Sequence, residues 1–380
     1  MYFFRSSRGS WHLRPIHACA LLLAACAHPS AGGPAAERAA PATATFANPI
    51  VATEAGDPWV VREGDRYYFT ATLEPEGGVW VWESPTLTGL GSAPRKVRVW
   101  SAPPSGPTSR QIWAPELHRL GGRWYLYFTA SDGVDDHHRH YVLAAKTDDP
   151  LGPYESPVRV DPAFEHYAID GSVLAMPDGR LYFLYCAGGP ENGVYIAPMS
   201  EPTRVSGPGV RIVRGTEPWE HGWRHTAAGW ERDAGYWVEA PEALVHDGRV
   251  FLAYSAGHTA TPYYYVGLMT LAPGADPMDP AAWSKRRTPI LAPVDAPNGG
   301  TDGGAYTTGH NGFTLSPDGR ESWIVYHAKD RAVWGGQTPD TGARVVRSVR
   351  AQRFTWDADG TPRFSAVVPS GVRLRRPSGE

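Results

Sequence analysis

The chain repeats one short pattern five times, and this repeat constrains its fold more than any other feature. Each copy has a pair of turn residues (Gly-Asp, Gly-Gly or Asp-Gly), then an arginine, then a run of aromatic and β-branched residues, as in residues 122–128 and 248–254. A tight turn followed by such a run is typical of the second strand of a β-hairpin. The shared arginine stands at Arg66, Arg123, Arg180, Arg249 and Arg320.

The spacing of these hairpins, 57 to 71 residues, fits a four-stranded antiparallel sheet with its loops. Radial packing of five such sheets covers their faces and protects their edges, whereas a β-sandwich would not need five copies of one hairpin. The content of 42 Gly, 36 Pro, 15 Trp, 18 Tyr and 11 Phe also favours an all-β fold. We therefore predict a five-bladed β-propeller over residues 46–370, followed by a C-terminal tail at residues 371–380.

The first residues are typical of an export signal. Three arginines within residues 5–14 precede a short apolar run at residues 18–25, which is too short to span a bilayer as a helix. Residues 23–26 resemble a bacterial lipobox, which implies a lipid anchor on Cys26; the alternative is an ordinary cleaved signal with an incidental cysteine. Residues 27–45 are rich in Ala, Pro and Thr and are predicted to form a flexible tether. We expect an exported protein that meets the membrane only through this anchor.

The charge balance gives no reason to expect a nucleic-acid partner. The formal net charge is −3, and such partners require clustered positive charge.

Most copies of the repeat carry a polar residue nine or ten positions before the shared arginine. In a propeller the innermost strand of each blade faces the central channel, so equivalent positions should converge on one cavity. The second copy departs from the others, with Trp113 ten positions and Glu116 seven positions before its arginine. The polar residues of the other four copies are Asp57, Asp170, Glu239 and His310.

Three acids in one cavity suggest acid–base chemistry. A single Asp beside Gly or Pro could cap a turn or bind water, but buried carboxyl groups are costly unless they are paired or functional. Clustered carboxyl groups also move one another's pKa values apart, which provides a protonated acid and an ionised base at one pH. Hydrolysis of a glycosidic bond needs that combination.

The motifs that carry these residues resemble glycoside hydrolase family 43. They lie at residues 56–59, 113–118, 168–172, 239–242 and 309–311, and the stretch at 347–356 with 359–362 resembles the family's arabinofuranosidase branch. The resemblance covers about residues 47–368. It implies a five-bladed propeller and an inverting, exo-acting α-L-arabinofuranosidase that releases arabinose from arabinan or arabinose-substituted oligosaccharides of the plant cell wall.

The same resemblance assigns roles to the acids. Asp57 would be the general base, Glu239 the general acid, and Asp170 the residue that tunes and orients the acid; Glu242 is a competitor for the acid role. The family usually has Gly where this chain has Ala240. His310 matches a central histidine that in several members contacts a calcium ion or its waters, so a calcium site near His310 is an expectation, although no cofactor is required.

Substrate contacts and competing functions remain open from the sequence. Trp59, Trp113 and Tyr306 are candidates for stacking on a sugar, Arg350 for a hydrogen bond to a hydroxyl group, and Glu116 for a further substrate contact. Each of these aromatic residues could instead pack between blades, and Arg350 could form a surface ion pair. The alternatives to an arabinofuranosidase are a β-xylosidase, an endo-α-1,5-arabinanase, and a surface propeller that binds carbohydrate without cleaving it.

Overall fold

The computed structural model describes residues 44–73, 77–161, 165–297, 302–337 and 342–380. The predicted signal, Cys26 and most of the predicted tether lie outside these residues. Among the described residues, no helix has both the length and the apolar character needed to cross a membrane. Their only helical segments are short 3-10 turns at Leu90–Ser92, Asp135–His137, Gly189–Glu191, Pro218–Glu220 and Pro280–Ala282.

Five antiparallel sheets of four or five strands follow one another in chain order, and two further two-stranded sheets accompany them; this confirms the predicted all-β five-bladed propeller. A first strand, β1 (Thr45–Ala47), precedes the blades. Blade 1 contains β2 (Gly56–Glu63), β3 (Arg66–Thr72), β4 (Gly78–Ser84) and β5 (Arg95–Ser101). Blade 2 contains β6 (Arg110–Leu120), β7 (Arg123–Ser131), β8 (Arg139–Ala144) and β9 (Val158–Arg159). Blade 3 contains β10 (Ala168–Ala175), β11 (Leu181–Ala187), β12 (Gly193–Glu201), β13 (Arg204–Val205) and β14 (Val210–Val213).

A separate hairpin stands between the third and fourth blades, formed by β15 (His221–Thr226) and β16 (Gly229–Tyr236). Blade 4 contains β17 (Val238–His246), β18 (Arg249–Gly257), β19 (Tyr264–Leu271) and β20 (Trp283–Lys285). Blade 5 contains β21 (Asp302–Leu315), β22 (Ser322–Arg331), β23 (Ser348–Trp356) and β24 (Pro362–Arg363), and the last strand of the chain is β25 (Arg373–Arg375). The repeat arginines lie at or just before the start of the second strand of each blade, as the hairpin pattern predicts.

Burial of apolar side chains between neighbouring blades holds the ring together. One hydrophobic cluster fills each of the five gaps, and the last joins Phe69 of blade 1 to Trp323 and Val349 of blade 5. Since burial of a large apolar side chain contributes about 1.5–3 kcal/mol, each blade is stabilised by both of its neighbours.

The two ends of the described chain close the ring by hydrogen bonds. The Asn48 side chain donates to the Ala351 carbonyl and accepts from the Ala351 N–H, both at 3.0 Å. β1 pairs with β25, so residues 373–375, which fall in the predicted C-terminal tail, take part in a sheet.

Each innermost strand has a β-bulge at the same level, and the bulges position the candidate site. The regular pairing of β2 with β3 stops at Gly56–Thr72 and resumes at Trp59–Thr70, and the innermost strands of the other blades are interrupted in the same way. Bulges of this kind redirect side chains and occur often beside active sites. One residue of each bulge adopts a left-handed conformation, with φ between 44° and 57°: Asp57, Ala114, Asp170, Ala240 and His310.

Candidate active site

A cavity of about 730 Å³ opens at the level of the bulges. It is lined by the three predicted catalytic acids, Asp57, Asp170 and Glu239, together with His310 and Trp113. The structure thus brings together five residues that the sequence analysis singled out, although they are far apart along the chain.

Asp57 is held by groups that stabilise its ionised form. Its carboxylate accepts a hydrogen bond from the Thr72 hydroxyl at 2.6 Å and from Arg347 Nη1 at 3.2 and 3.3 Å, and His310 Nδ1 lies 3.2 Å from Oδ1. Burial alone would raise the pKa of Asp57, but the positive charges of Arg347 and His310 outweigh it and hold this pKa well below its ordinary value.

Two histidines beside Asp57 have opposite protonation states. Burial would lower the pKa of His310, but the charges of Asp57 and Asp170 raise it to about 9, so this imidazole is protonated at neutral pH. Burial lowers the pKa of His327 to about 4. Neutral His327 accepts the Asp57 backbone N–H at Nδ1, at 3.0 Å, and therefore fixes the backbone that carries the carboxylate.

Glu239 has the opposite tendency to Asp57. Its Oε2 accepts a hydrogen bond from Trp237 Nε1 at 2.6 Å, and its Oε1 lies 2.7 Å from the Tyr264 hydroxyl. These hydrogen bonds and the charge of His310 favour the carboxylate, yet burial is the larger influence and raises the pKa of Glu239. The cavity therefore holds one carboxyl group that favours ionisation and one that favours protonation.

Asp170 links the third and fourth blades directly beside Glu239. Its Oδ2 accepts the backbone N–H of Ala240 at 3.0 Å. Burial raises the pKa of Asp170, the charge of His310 lowers it, and the charges of Glu239 and Asp57 raise it further; the net direction is upward. Since Asp170 and Glu239 interact strongly, their titrations belong to the pair.

The structure corrects the sequence register of one residue. The equivalent bulge positions are those with left-handed φ, so Glu239 lies one residue before the position that Asp57, Asp170 and His310 share; Ala240 occupies that position. The reason is the length of the hairpin turn. In blade 4, two residues separate the paired ends His246 and Arg249, whereas the corresponding turns of blades 3 and 5 are longer. Counting ten residues back from Arg249 therefore reaches Glu239, one residue before the bulge position.

Four of the predicted substrate contacts, all among the described residues, do not line this cavity. Trp59 donates to the Leu117 carbonyl at 2.9 Å and packs against His118. It therefore packs between blades 1 and 2, which is the alternative to stacking on a sugar. Glu116 is buried and lies 2.8 Å from His118 Nε2. Tyr306 lines a different cavity.

The prediction for Arg350 is wrong. Arg350 is 0% exposed, its Nη2 donates to Ser370 Oγ, and it does not line the cavity, so it meets neither the substrate site nor the surface. Arg347, three residues earlier in the same motif, contacts Asp57 instead.

Glu242 also lies apart from the cavity-lining residues. It is 4% exposed and its Oε2 is 3.5 Å from Ser172 Oγ. Burial, with the charge of Glu116 as a smaller contribution, raises the pKa of Glu242 well above its ordinary value. It occupies the position just past the bulge in its strand, equivalent to Glu116 in β6.

Several residues of the site carry no recognisable signal in the sequence. Trp237 and Tyr264 are two aromatic residues among many, and only the fold brings them to Glu239. Lys329 is buried in the cavity wall and donates to the Thr259 carbonyl at 2.8 Å. Arg347 lies in the motif at residues 347–356, but the motif does not show which of its arginines contacts the site.

The contacts of His310 do not support direct binding of the expected calcium ion. Its Nδ1 faces Asp57 at 3.2 Å, and a protonated imidazole has no lone pair for a metal. Within the described ranges, no group of three or more His, Cys, Asp or Glu side chains could hold a metal ion. The expectation of calcium near His310 thus finds no support in these contacts.

Comparison with known proteins agrees with this geometry. The model of the glycosyl hydrolases family 43 matches residues 46–362. The chain is 37% identical over 304 residues to an extracellular exo-α-(1→5)-L-arabinofuranosidase of Streptomyces chartreusis, covering 78% of this chain and 86% of the relative. It is 32% identical over 361 residues to an enzyme of the same description from Streptomyces avermitilis, covering 92% of this chain and 70% of that one.

A solved structure shows the same fold. The crystal structure of an α-L-arabinofuranosidase from Lactobacillus brevis superposes with a TM-score of 0.72 at 29% identity, covering 86% of this chain and 98% of that one. The match to the family model spans nearly all of the propeller. The chain belongs to glycosyl hydrolase family 43.

Proposed function

We propose that this protein is an exo-acting α-L-arabinofuranosidase that cleaves with inversion, with Asp57 as general base and Glu239 as general acid. The observation that carries the proposal is the opposite environment of these two carboxyl groups in one cavity. Relatives that are 37% identical over 304 residues and 32% identical over 361 residues are described as exo-α-(1→5)-L-arabinofuranosidases, which supports arabinose over other sugars.

Hydrolysis would proceed in one displacement. Asp57 accepts a proton from a water molecule while the water oxygen bonds to the anomeric carbon, the glycosidic C–O bond breaks, and Glu239 gives its proton to the leaving oxygen. Arg347 and His310 keep Asp57 ionised before the step. Afterwards Asp57 is protonated and Glu239 ionised, and proton exchange with solvent restores the starting state.

Trp237 and Tyr264 would stabilise the carboxylate that forms on Glu239. The indole N–H of Trp237 can only donate, so Oε2 receives this hydrogen bond in both protonation states. As the proton leaves, both hydrogen bonds become charge-assisted and therefore stronger. Burial keeps the acid protonated before the reaction, and these donors reduce the cost of ionising it during the reaction.

Asp170 would act as a positioning residue for the acid. Its hydrogen bond to Ala240 N–H fixes the backbone next to Glu239. Asp170 and Glu239 also titrate as a coupled pair, in which ionisation of one carboxyl group disfavours ionisation of the other. Trp113, which lines the cavity and stacks on His138 with ring centroids 4.3 Å apart, is the proposed sugar-stacking residue.

The substrate assignment can be tested with three purified substrates. An aryl α-L-arabinofuranoside, an aryl β-D-xyloside and linear α-1,5-arabinan separate the alternatives. We expect arabinose as the main product from the first and third substrates, with the inverted anomer seen first by NMR. Preferential xylose release would identify a β-xylosidase, internal cleavage an endo-arabinanase, and binding without turnover a carbohydrate-binding propeller.

We also propose that the protein is exported and attached to the cell envelope through a lipid on Cys26. The support is the lipobox-like sequence at residues 23–26 and the description of the Streptomyces relatives as extracellular. Fractionation of cells that express the wild type and Cys26→Ser tests this. The wild type should sediment with membranes and the variant should be released; equal release of both would contradict the anchor.

A further inference from the structure

A second cavity of about 370 Å³ lies beside the active-site cavity on blades 4 and 5. Four aromatic rings line it, together with one carboxyl group: Tyr263, Tyr265, Tyr306, Trp334 and Asp295. Tyr263 and Trp334 are 40% and 39% exposed. Large aromatic rings that are partly exposed in a concave site keep some of their surface available to a ligand.

The two cavities share a wall. Residues 258–260 and 335–337 line the active-site cavity, and residues 262, 263, 265, 332 and 334 of the same two segments line the second one. Gly335 N–H donates to the Ala260 carbonyl at 2.7 Å and ties the segments together. The two cavities are therefore neighbours that these two segments separate.

Three aromatic side chains contact one another where the two cavities adjoin. Trp223, which lines the active-site cavity, stacks on Tyr263 with ring centroids 5.2 Å apart and planes at 17°. Trp334 meets Trp223 edge-on at 5.1 Å and Tyr263 at 5.6 Å. We call Trp223, Tyr263 and Trp334 the aromatic crest. These three rings contact one another, and they include one residue that lines the active-site cavity and two that line the second cavity.

The chemistry of the second cavity suits a neutral carbohydrate. Aromatic faces bind the C–H faces of sugars, and a carboxylate accepts hydrogen bonds from hydroxyl groups. Tyr306 Oη donates to Asp295 Oδ1 at 2.9 Å, which holds the carboxylate in place in the cavity lining. The negative charge of Asp295 disfavours an anionic ligand.

We propose that the second cavity binds arabinofuranosyl units of the same chain whose end occupies the active-site cavity, with the chain crossing the aromatic crest. This inference rests on the proposed function, because that proposal identifies arabinan as the polymer. It gives the enzyme a preference for long arabinan chains over short ones that is independent of the catalytic groups.

The test compares a long and a short substrate. Trp334→Ala and, separately, Asp295→Ala are assayed on linear α-1,5-arabinohexaose and on an aryl α-L-arabinofuranoside, which fills only the active-site cavity. We expect KM for the hexaose to rise roughly tenfold in Trp334→Ala and to rise in the same direction in Asp295→Ala. Values for the aryl substrate should stay within twofold of the wild type. Leu315→Ala is the control, because it removes a side chain of blade 5 that is 44% exposed and outside both cavities. It should leave the kinetic constants on both substrates unchanged.

The possible failures are distinguishable. If the wild type does not cleave the aryl arabinofuranoside, the proposed function fails and this inference with it. If the wild type cleaves both substrates but the variants leave the hexaose KM unchanged, or alter both substrates equally, only the second cavity is overturned. Calorimetric titration of Glu239→Gln with hexaose, with and without Trp334→Ala, measures binding without turnover and should show the same loss of affinity.

Discussion

The Ala240 N–H donates to Asp170 Oδ2 at 3.0 Å. In the other four blades, the equivalent backbone N–H has a different kind of acceptor. Elsewhere the N–H of the left-handed bulge residue donates to a side chain on the second strand of the preceding blade. These acceptors are Thr72 for Ala114, Thr129 for Asp170, Ser255 for His310 and His327 for Asp57.

Cys186 occupies the equivalent place in blade 3, since it pairs with Ile169 as Thr72 pairs with Gly56. A thiol is a weak acceptor, and Cys186 Sγ contacts the Val238 carbonyl instead. The Ala240 N–H is therefore left for the Asp170 carboxylate. The one hydrogen bond that departs from the five-fold pattern is therefore made by the residue next to Glu239, the proposed acid.

Replacement of Asp170 by Asn tests its influence on Glu239. Asp170 and Glu239 titrate as a coupled pair in which ionisation of one disfavours ionisation of the other, so loss of the Asp170 carboxyl group should lower the pKa of Glu239. Because the reaction needs the protonated acid, the basic limb of the kcat–pH profile should move to lower pH. An unchanged basic limb in Asp170→Asn would show that Asp170 acts through geometry alone.

Tyr264→Phe should move the same limb in the opposite direction. The hydroxyl hydrogen bond lowers the pKa of Glu239, so its removal should extend activity to higher pH, while kcat falls roughly tenfold because the forming carboxylate loses a donor. Tyr154→Phe is the matched control, since it removes a buried tyrosine hydroxyl that donates to the Pro150 carbonyl outside the cavity. A shift in the control, or none in Tyr264→Phe, would contradict the assignment.

The acidic limb should depend on Arg347. Its positive charge lowers the pKa of Asp57, and the base must be ionised, so Arg347→Gln should move the acidic limb to higher pH. Gly56→Ala tests the same role without changing Arg347 itself, because a Cβ at Gly56 would lie 2.0 Å from Arg347 Cζ and would displace the guanidinium. It should move the acidic limb in the same direction. If both variants keep the wild-type acidic limb, Arg347 does not set the ionisation of the base.

Ring closure should depend on Asn48. Asn48→Ala leaves the buried backbone groups of Ala351 without partners, which costs about 1–3 kcal/mol, and the urea midpoint should fall while activity at low denaturant stays. Thr53→Ala changes an exposed residue of the same segment and serves as the control. Equal midpoints for the wild type and Asn48→Ala would mean that other contacts close the ring.

Local sequence pattern was sufficient to predict the hairpins and the number of blades, because a turn pair followed by Arg and a β-forming run acts over a few residues. It was also sufficient to bring Asp57, Asp170, Glu239 and His310 to one level. It could not give the register to one residue. Turn length differs between blades, and that difference placed Glu239 where Ala240 stands.

The remaining residues of the site depend on long-range packing that no local pattern encodes. Arg347 and Arg350 belong to one strand region, and only the packing of blade 5 decides that Arg347 reaches Asp57 while Arg350 is buried. The left-handed φ of 52° at Ala240 explains why glycine, which has no Cβ, suits this position in the family.

The central claim is that Glu239 supplies the proton to the leaving group, and leaving-group dependence tests it most directly. Glu239→Gln should lose roughly a hundred- to ten-thousand-fold in kcat/KM on α-1,5-arabinotriose, whose leaving group needs protonation, and much less on a dinitrophenyl α-L-arabinofuranoside, whose leaving group does not. Glu242→Gln is the matched control and should show no such contrast. Equal losses on both substrates in Glu239→Gln, or the contrast appearing in Glu242→Gln instead, would contradict the assignment.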